Sequence, residues 1–295
     1  MRWKNLRKAG ADSRIERRRG AGAGGKVVKG GLGSILMAVI AIFVFKQDPQ
    51  QVIGGLVQNQ AAGSADYRPS ANEAETEQFL DTIKASTDDV WSQLFQQAGK
   101  TYKIPRMVDY DVRTRMSTGG IADARMGPFY LPAEETIYID INFFNEMKQR
   151  FGGGGDFAYA YVISHEVGHH VQHLLGKTDM VHRKKGRIPE RDYNRLSVRL
   201  ELQADFLSGI WAHYADKDLR ARTGEGLLQE GDIQEAMRAA KAIGDDALQR
   251  QAGGRVVEDS FTHGTSEQRL RWFMKGLRSG DLSQMDTFSI PYEAL

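Results

Sequence analysis

His165, Glu166 and His169 stand at the spacing His-Glu-x-x-His, within Ser164-His165-Glu166-Val167-Gly168-His169. Apolar residues flank the motif, Tyr159 to Ile163 before it and Val171, Leu174 and Leu175 after it, which predicts a helix. Residues i and i+4 lie one turn apart on one face, so both imidazoles can reach one metal ion. Glu166 projects beside them, where it can take a proton from a water that the metal activates. A hydrolytic zinc site needs three protein ligands and one open position. His170 is five residues from His165 and points elsewhere. His173 is on the right face but about 12 Å along the axis, too far to share the ion. A histidine ten residues after His165 would fall at Leu175. Histidines of this helix alone therefore do not complete the set.

Glu201 is the better third ligand. Leu196 to Trp211 reads as a second amphipathic helix, and Glu201 and Asp205 share one of its faces with small or apolar neighbours. Buried carboxylates are costly unless paired or bound to metal. Glu201 as ligand, with Asp205 accepting from the second nitrogen of a ligand histidine, meets both costs. The bland alternative is a solvated Glu201 and a surface Asp205, where most carboxylates sit. The neighbouring motif favours the inward arrangement.

The elements that must position these residues are mainly helical. Residues 71–98 carry Phe79, Leu80, Ile83, Val90, Trp91, Leu94 and Phe95 at helical spacing. Met107 to Val112 alternates as a strand does, and Glu135 to Asn142 is the clearest strand. Asp156, after the glycine run 152–155, is placed as the cap of the motif helix, and Gly176 as its end. The run lacks the Lys-Ser/Thr ending of a phosphate loop, so it reads as a turn. Residues 177–191 are basic and loop-like, either a cleft rim or a solvated loop. Residues 231–251 form a further amphipathic helix. Thr265 with Gln268 predicts a capping box opening a last helix, Leu270 to Leu277, closed before Gly280. The architecture is α+β, with helices dominant and one small sheet.

Residues 1–29 hold ten Lys/Arg against Asp12 and Glu16; the whole chain of 295 residues has a formal charge of +2, so residues 30–295 carry −6. The basic charge is local, and the following apolar run, Gly30 to Phe45, accounts for it. A dense positive flank before an apolar run predicts a cytoplasmic N-terminus and a transmembrane anchor over 30–46, with Lys29 and Lys46 snorkelling at its ends. A cleaved leader is the rival, and a nucleic-acid arm the weaker one. The expected organisation is a basic cytoplasmic tail at 1–29, an anchor at 30–46, a polar linker at 47–70 and the catalytic domain at 71–295. No partner nucleic acid is expected. The chain contains no cysteine, which excludes thiol catalysis and cysteine-bound metal.

His-Glu-x-x-His followed by Glu-x-x-x-Asp on a second helix resembles the gluzincin group of metallopeptidases. The Glu201-Leu202-Gln203-Ala204-Asp205 form is similar to membrane-anchored heat-shock and prenyl-protein zinc proteases. Over nearly its whole length the chain resembles the bacterial family described as putative neutral zinc metallopeptidases. The shared features are Met1-Arg2-Trp3, the basic N-terminus and apolar run, Gly127 to Tyr130, Ile137 to Asp140, His165 to Gln172, Glu201 to Asp205, Thr262-His263-Gly264 and Gln268-Arg269. Many members carry a cysteine pair around Gly-Pro-Phe-Tyr; Gly119 and Leu131 take those places here.

The resemblance implies a zincin-like domain, Zn2+ as cofactor, and a single-pass protein of the bacterial inner membrane with its catalytic domain outside the cytoplasm. It implies a protein or peptide substrate laid along the strand at Glu135 to Asn142, unless that strand is interior. His263 takes the place of a histidine that stabilises the oxyanion in related proteases, with Tyr138 and Tyr193 as alternatives and Arg269 as a structural arginine near the site. Two other functions compete: a scaffold that keeps a zinc site without activity, and a zinc hydrolase of cell-wall peptides.

Overall fold

The computed structural model describes residues 1–7, 15–19, 71–143, 155–243, 245–246, 249 and 257–295. The expected anchor at 30–46 and linker at 47–70 lie outside them. Among the described residues no helix is long and apolar enough to cross a membrane.

A sheet of four strands has the order β1 (Glu16–Arg18), β2 (Arg106–Tyr110), β6 (Thr136–Asp140), β5 (Phe129–Leu131). The β1–β2 and β2–β6 pairs are parallel, and β5 runs antiparallel to β6. The strand expected at Glu135 to Asn142 is thus interior, and β5 is the free edge on that side. Its composition explains this. Ile137 and Ile139 join Met107 in the main core, while Tyr138 joins Val108, Tyr110 and Ala122 in a small second cluster. Both faces are covered, so Ile137, Tyr138 and Ile139 follow one another without polar alternation. Ala122 belongs to a hairpin of β3 (Arg113–Arg115) and β4 (Ile121–Asp123).

The helices are α1 (Ala71–Gln97), α2 (Asp156–Leu174), α3 (Lys177–His182), α4 (Glu190–Thr223), α5 (Asp232–Ile243) and α6 (Ser266–Ser279). The helix carrying Glu201 runs past its expected apolar stretch to Thr223, with Ala215 and Leu219 buried in the core and Arg220 and Arg222 paired with Asp216 and Asp218 one turn earlier. The basic segment 177–191 contains the short helix α3 where a loop was expected. The capping box at Thr265 and Gln268 is present, and Gly280 ends α6 at φ +58°. Helices α4 and α6 cross at paired glycines. A Cβ on Gly209 would lie 2.1 Å from the Phe273 carbonyl oxygen, and one on Gly276 2.1 Å from that of Phe206. No larger residue fits either position.

The N-terminus departs from the expected tail. Trp3 is buried edge-on to Phe79 at 5.3 Å, and its Nε1 donates to Asp156 Oδ2 at 2.9 Å. Asp156 is therefore a first-turn residue of α2 tied to Trp3, and Gly155 occupies the cap position. Arg19 donates to Glu77 Oε1 at 2.7 Å and to Asp109 Oδ2 at 2.5 Å. Asp109 is wholly buried, so it requires such a cation. Basic composition alone does not distinguish a solvated arm from one whose arginines answer carboxylates of the body.

Candidate metal centre

The motif residues lie on α2 and their expected partners on α4, and the two helices touch at Gly168. A Cβ there would stand 3.0 Å from the Ala204 carbonyl oxygen. The absence of that Cβ lets the imidazoles of α2 meet the carboxylates of α4. Ser164 and Ser208 share a hydrogen bond of 2.5 Å across the same contact.

His165 Nε2 is 3.2 Å from Glu201 Oε2, and His169 Nε2 is 3.4 Å from Glu201 Oε1. One ligand atom from each of the three residues lies within 4.8 Å of the others, the one such group among the described residues. Two imidazoles and a carboxylate converging on one point are the donor set of a hydrolytic zinc site, and they fit that ion. Histidines 170 and 173 stay outside the group. His170 Nε2 donates to the Lys103 carbonyl at 2.6 Å and its Nδ1 meets the Tyr130 hydroxyl at 2.9 Å. His173 lies against Asp179 on α3.

Asp205 sits behind His165. Its Oδ1 accepts from His165 Nδ1 at 2.8 Å and from the Tyr161 hydroxyl at 2.5 Å. Arg269 on α6 donates to both of its oxygens, Nε to Oδ2 at 2.9 Å and Nη2 to Oδ1 at 3.0 Å. The wholly buried carboxylate is thus fully answered, and its pKa lies below the ordinary range: burial opposes ionisation, but Arg269 and His165 outweigh it. Glu201 is held well below the range on the same logic, burial being outweighed by His169 and His165. Glu166 is raised, chiefly by burial; the two histidines and a hydrogen bond from the Tyr130 backbone amide oppose the shift. Tyr130 lies in β5, so the free edge of the sheet faces the motif.

His263 lies in the same electrostatic neighbourhood, since its charge and that of Glu201 act on each other. Asp245 holds it. The Asp245 carboxylate accepts from the backbone amides of Thr262, His263 and Gly264 at 2.7, 2.6 and 3.0 Å, and from His263 Nδ1 at 3.1 Å. Tyr138, an alternative to His263, is buried in the small cluster with its hydroxyl donating to Glu134 at 2.5 Å. Tyr193 stands at the first turn of α4, two turns before Glu201. Asp245 and Gln172 are site residues that sequence reasoning missed. Neither carries a periodic or spacing signal, because each acts through a contact made only in three dimensions.

Loading this centre is expected to be coupled to protons. Burial lowers the pKa of His165, but Asp205 and then Glu201 overcome it and push it up to about 10. Below that pH the metal-free ring holds a proton that an incoming cation must expel. Zinc affinity should therefore rise as pH rises through neutrality, by up to about tenfold per pH unit. Calorimetric titration in buffers of differing ionisation enthalpy measures the released proton. Affinity independent of pH between 6 and 8, roughly the neutral range, would show that the metal-free His165 ring is already neutral there.

The chain matches the family model described as "Putative neutral zinc metallopeptidase" over residues 1–288. It is 42% identical over 296 residues to the uncharacterized protein YpfJ of Escherichia coli K12, covering 98% of this chain and 99% of that one. It is 40% identical over 210 residues to the uncharacterized protein Mb2605 of Mycobacterium bovis, covering 69% of this chain and 68% of the relative. No solved structure matches. The family match runs through the motif, Glu201, Asp205 and His263 alike, and the chain belongs to the family so described.

Proposed function

We propose that the protein is a zinc-dependent endopeptidase in which His165, His169 and Glu201 hold the metal and Glu166 handles the proton. The observation that carries this reading is the convergence of two imidazoles and a carboxylate from two helices, with a raised glutamate beside them. When bound, zinc lowers the pKa of a water molecule and polarises the scissile carbonyl. Glu166 is oriented by the Tyr130 amide, takes the proton and passes it to the leaving amine. Burial alone would lower the pKa of His263, but Asp245 outweighs it and the net shift is upward. The shift favours the protonated ring, and with Nδ1 held by Asp245 the other nitrogen is the one that would donate to the tetrahedral oxyanion. An extended peptide pairing with the outer edge of β5 would pass over the motif.

The test is metal content and hydrolysis of unfolded casein, using the full-length chain. Wild type is expected to hold about one zinc per chain, as sites of this ligand set do, and to cleave; Glu201→Ala is expected to lose the metal. A wild-type chain that binds no zinc removes the reading. One that binds zinc but spares casein moves the search to narrower substrates such as cell-wall peptides.

His263→Ala separates oxyanion stabilisation from folding. It is expected to lower kcat by about 10²–10³-fold with KM and zinc content little changed. An unaltered kcat would assign His263 to structure alone.

A further inference from the structure

We propose that Gln172 is a positioning residue that decides which nitrogen of His169 faces the metal position, an inference resting on the zinc reading above. Gln172 is wholly buried near the C-terminal end of α2. Its Nε2 lies 2.6 Å from the Leu200 carbonyl oxygen. A carbonyl only accepts, so that end of the amide is the donor and Oε1 is turned the other way. Oε1 lies 2.9 Å from His169 Nδ1, which must then carry the proton and donate. The remaining nitrogen, Nε2, keeps its lone pair and is the one near Glu201.

A second amide extends the chain of bonds. Gln172 Nε2 also lies 3.1 Å from Gln203 Oε1, and Gln203 Nε2 donates to the Met285 carbonyl at 2.9 Å. Two backbone carbonyls, Leu200 and Met285, thus set the direction of every bond from the C-terminal segment to a metal ligand. Leu200 directly precedes Glu201, so one side chain couples His169 to the backbone that carries the third ligand. His165 receives the same service from the carboxylate of Asp205, whereas His169 receives it from a neutral amide.

The test needs both a variant and the native chain. Zinc affinity is measured by chelator competition on full-length wild type and Gln172→Met, which keeps volume and loses the acceptor. A loss of about 10–100-fold is expected. Nitrogen NMR of metal-free wild type should show the proton of the neutral His169 ring on Nδ1. Equal affinity, or a proton on Nε2, would overturn the proposal. If Gln172→Met does not fold, the wild-type tautomer still decides. Wild type that binds no zinc would sink the functional reading while leaving the tautomer result to judge Gln172.

A different observation carries a second inference: we propose that residues 1–19 and the body lie on the same side of any membrane. Strand β1 pairs in register with β2, Arg17 opposite Asp109. Trp3 fills a slot against Phe79, Arg2 N–H donates to the Leu227 carbonyl, and Arg19 answers the buried Asp109. A single crossing between residues 19 and 71 would part each of these pairs. The single-pass arrangement read from charge and hydropathy is incompatible with that packing.

The chain lacks cysteine, so single cysteines report cleanly. Asn5→Cys and Gln97→Cys, both at exposed positions, are treated with a membrane-impermeant maleimide in intact and permeabilised cells. Labelling of both under the same condition is expected. Labelling of one in intact cells and of the other only after permeabilisation would overturn the proposal.

Discussion

Glu166→Gln is expected to lower kcat/KM by about 10²–10⁴-fold while zinc stays bound. Gln keeps the volume and can still accept the Tyr130 amide, so the pocket survives. It cannot take a proton. Burial holds the native carboxylate above its ordinary pKa, with Glu201 adding its charge and the two imidazoles opposing. A raised pKa brings a general base nearer to neutral pH, where proton transfer is most efficient. The paired measurement is zinc stoichiometry alongside steady-state kinetics. Retained activity would move the base elsewhere; lost zinc would make Glu166 a ligand or a packing residue.

Removing residues 1–19 is expected to abolish cooperative folding, although sequence composition places these residues outside the domain. The deletion uncovers the outer edge of β2, leaves the buried Asp109 without Arg19, and empties the site of Trp3. Trp3→Ala alone should cost about 3–5 kcal/mol, since a buried aromatic is replaced by a cavity. Breaking a buried ion pair from one side costs about as much again. Typical domains hold only about 5–15 kcal/mol in all. Thermal unfolding of the full chain and of a chain starting at residue 20 checks this. Equal midpoints would show that the N-terminal segment is an accessory. A preparation of the catalytic domain is therefore expected to require residues 1–19 in addition to 71–295.

The chemistry was legible in the residues because its signals are local. His165, Glu166 and His169 are set by helical periodicity alone. Glu201 and Asp205 follow from a second helix whose face holds two carboxylates among apolar neighbours, and their costs demanded partners that the motif supplies. The Thr265–Gln268 box is likewise a short-range pattern, and it is present. Where the sequence misleads, the missing information is long-range. Glu135 to Asn142 reads as a strand, but only the pairing of β2 and β5 on either side makes it interior and passes the edge to β5. Composition shows ten basic residues at the N-terminus but not that Arg19 among them answers the buried Asp109, since charge along a chain does not say where the counter-charge sits.

Residue type and spacing determined which groups can bind a metal and move a proton. The tertiary structure decided how they are held: the crossing of α2 and α4 at Gly168, the Arg269–Asp205 and Gln203–Gln172 connections behind the two histidines, and Asp245 behind His263. Those contacts join residues 18 to 64 positions apart, and their geometry exists only once the core has closed around them.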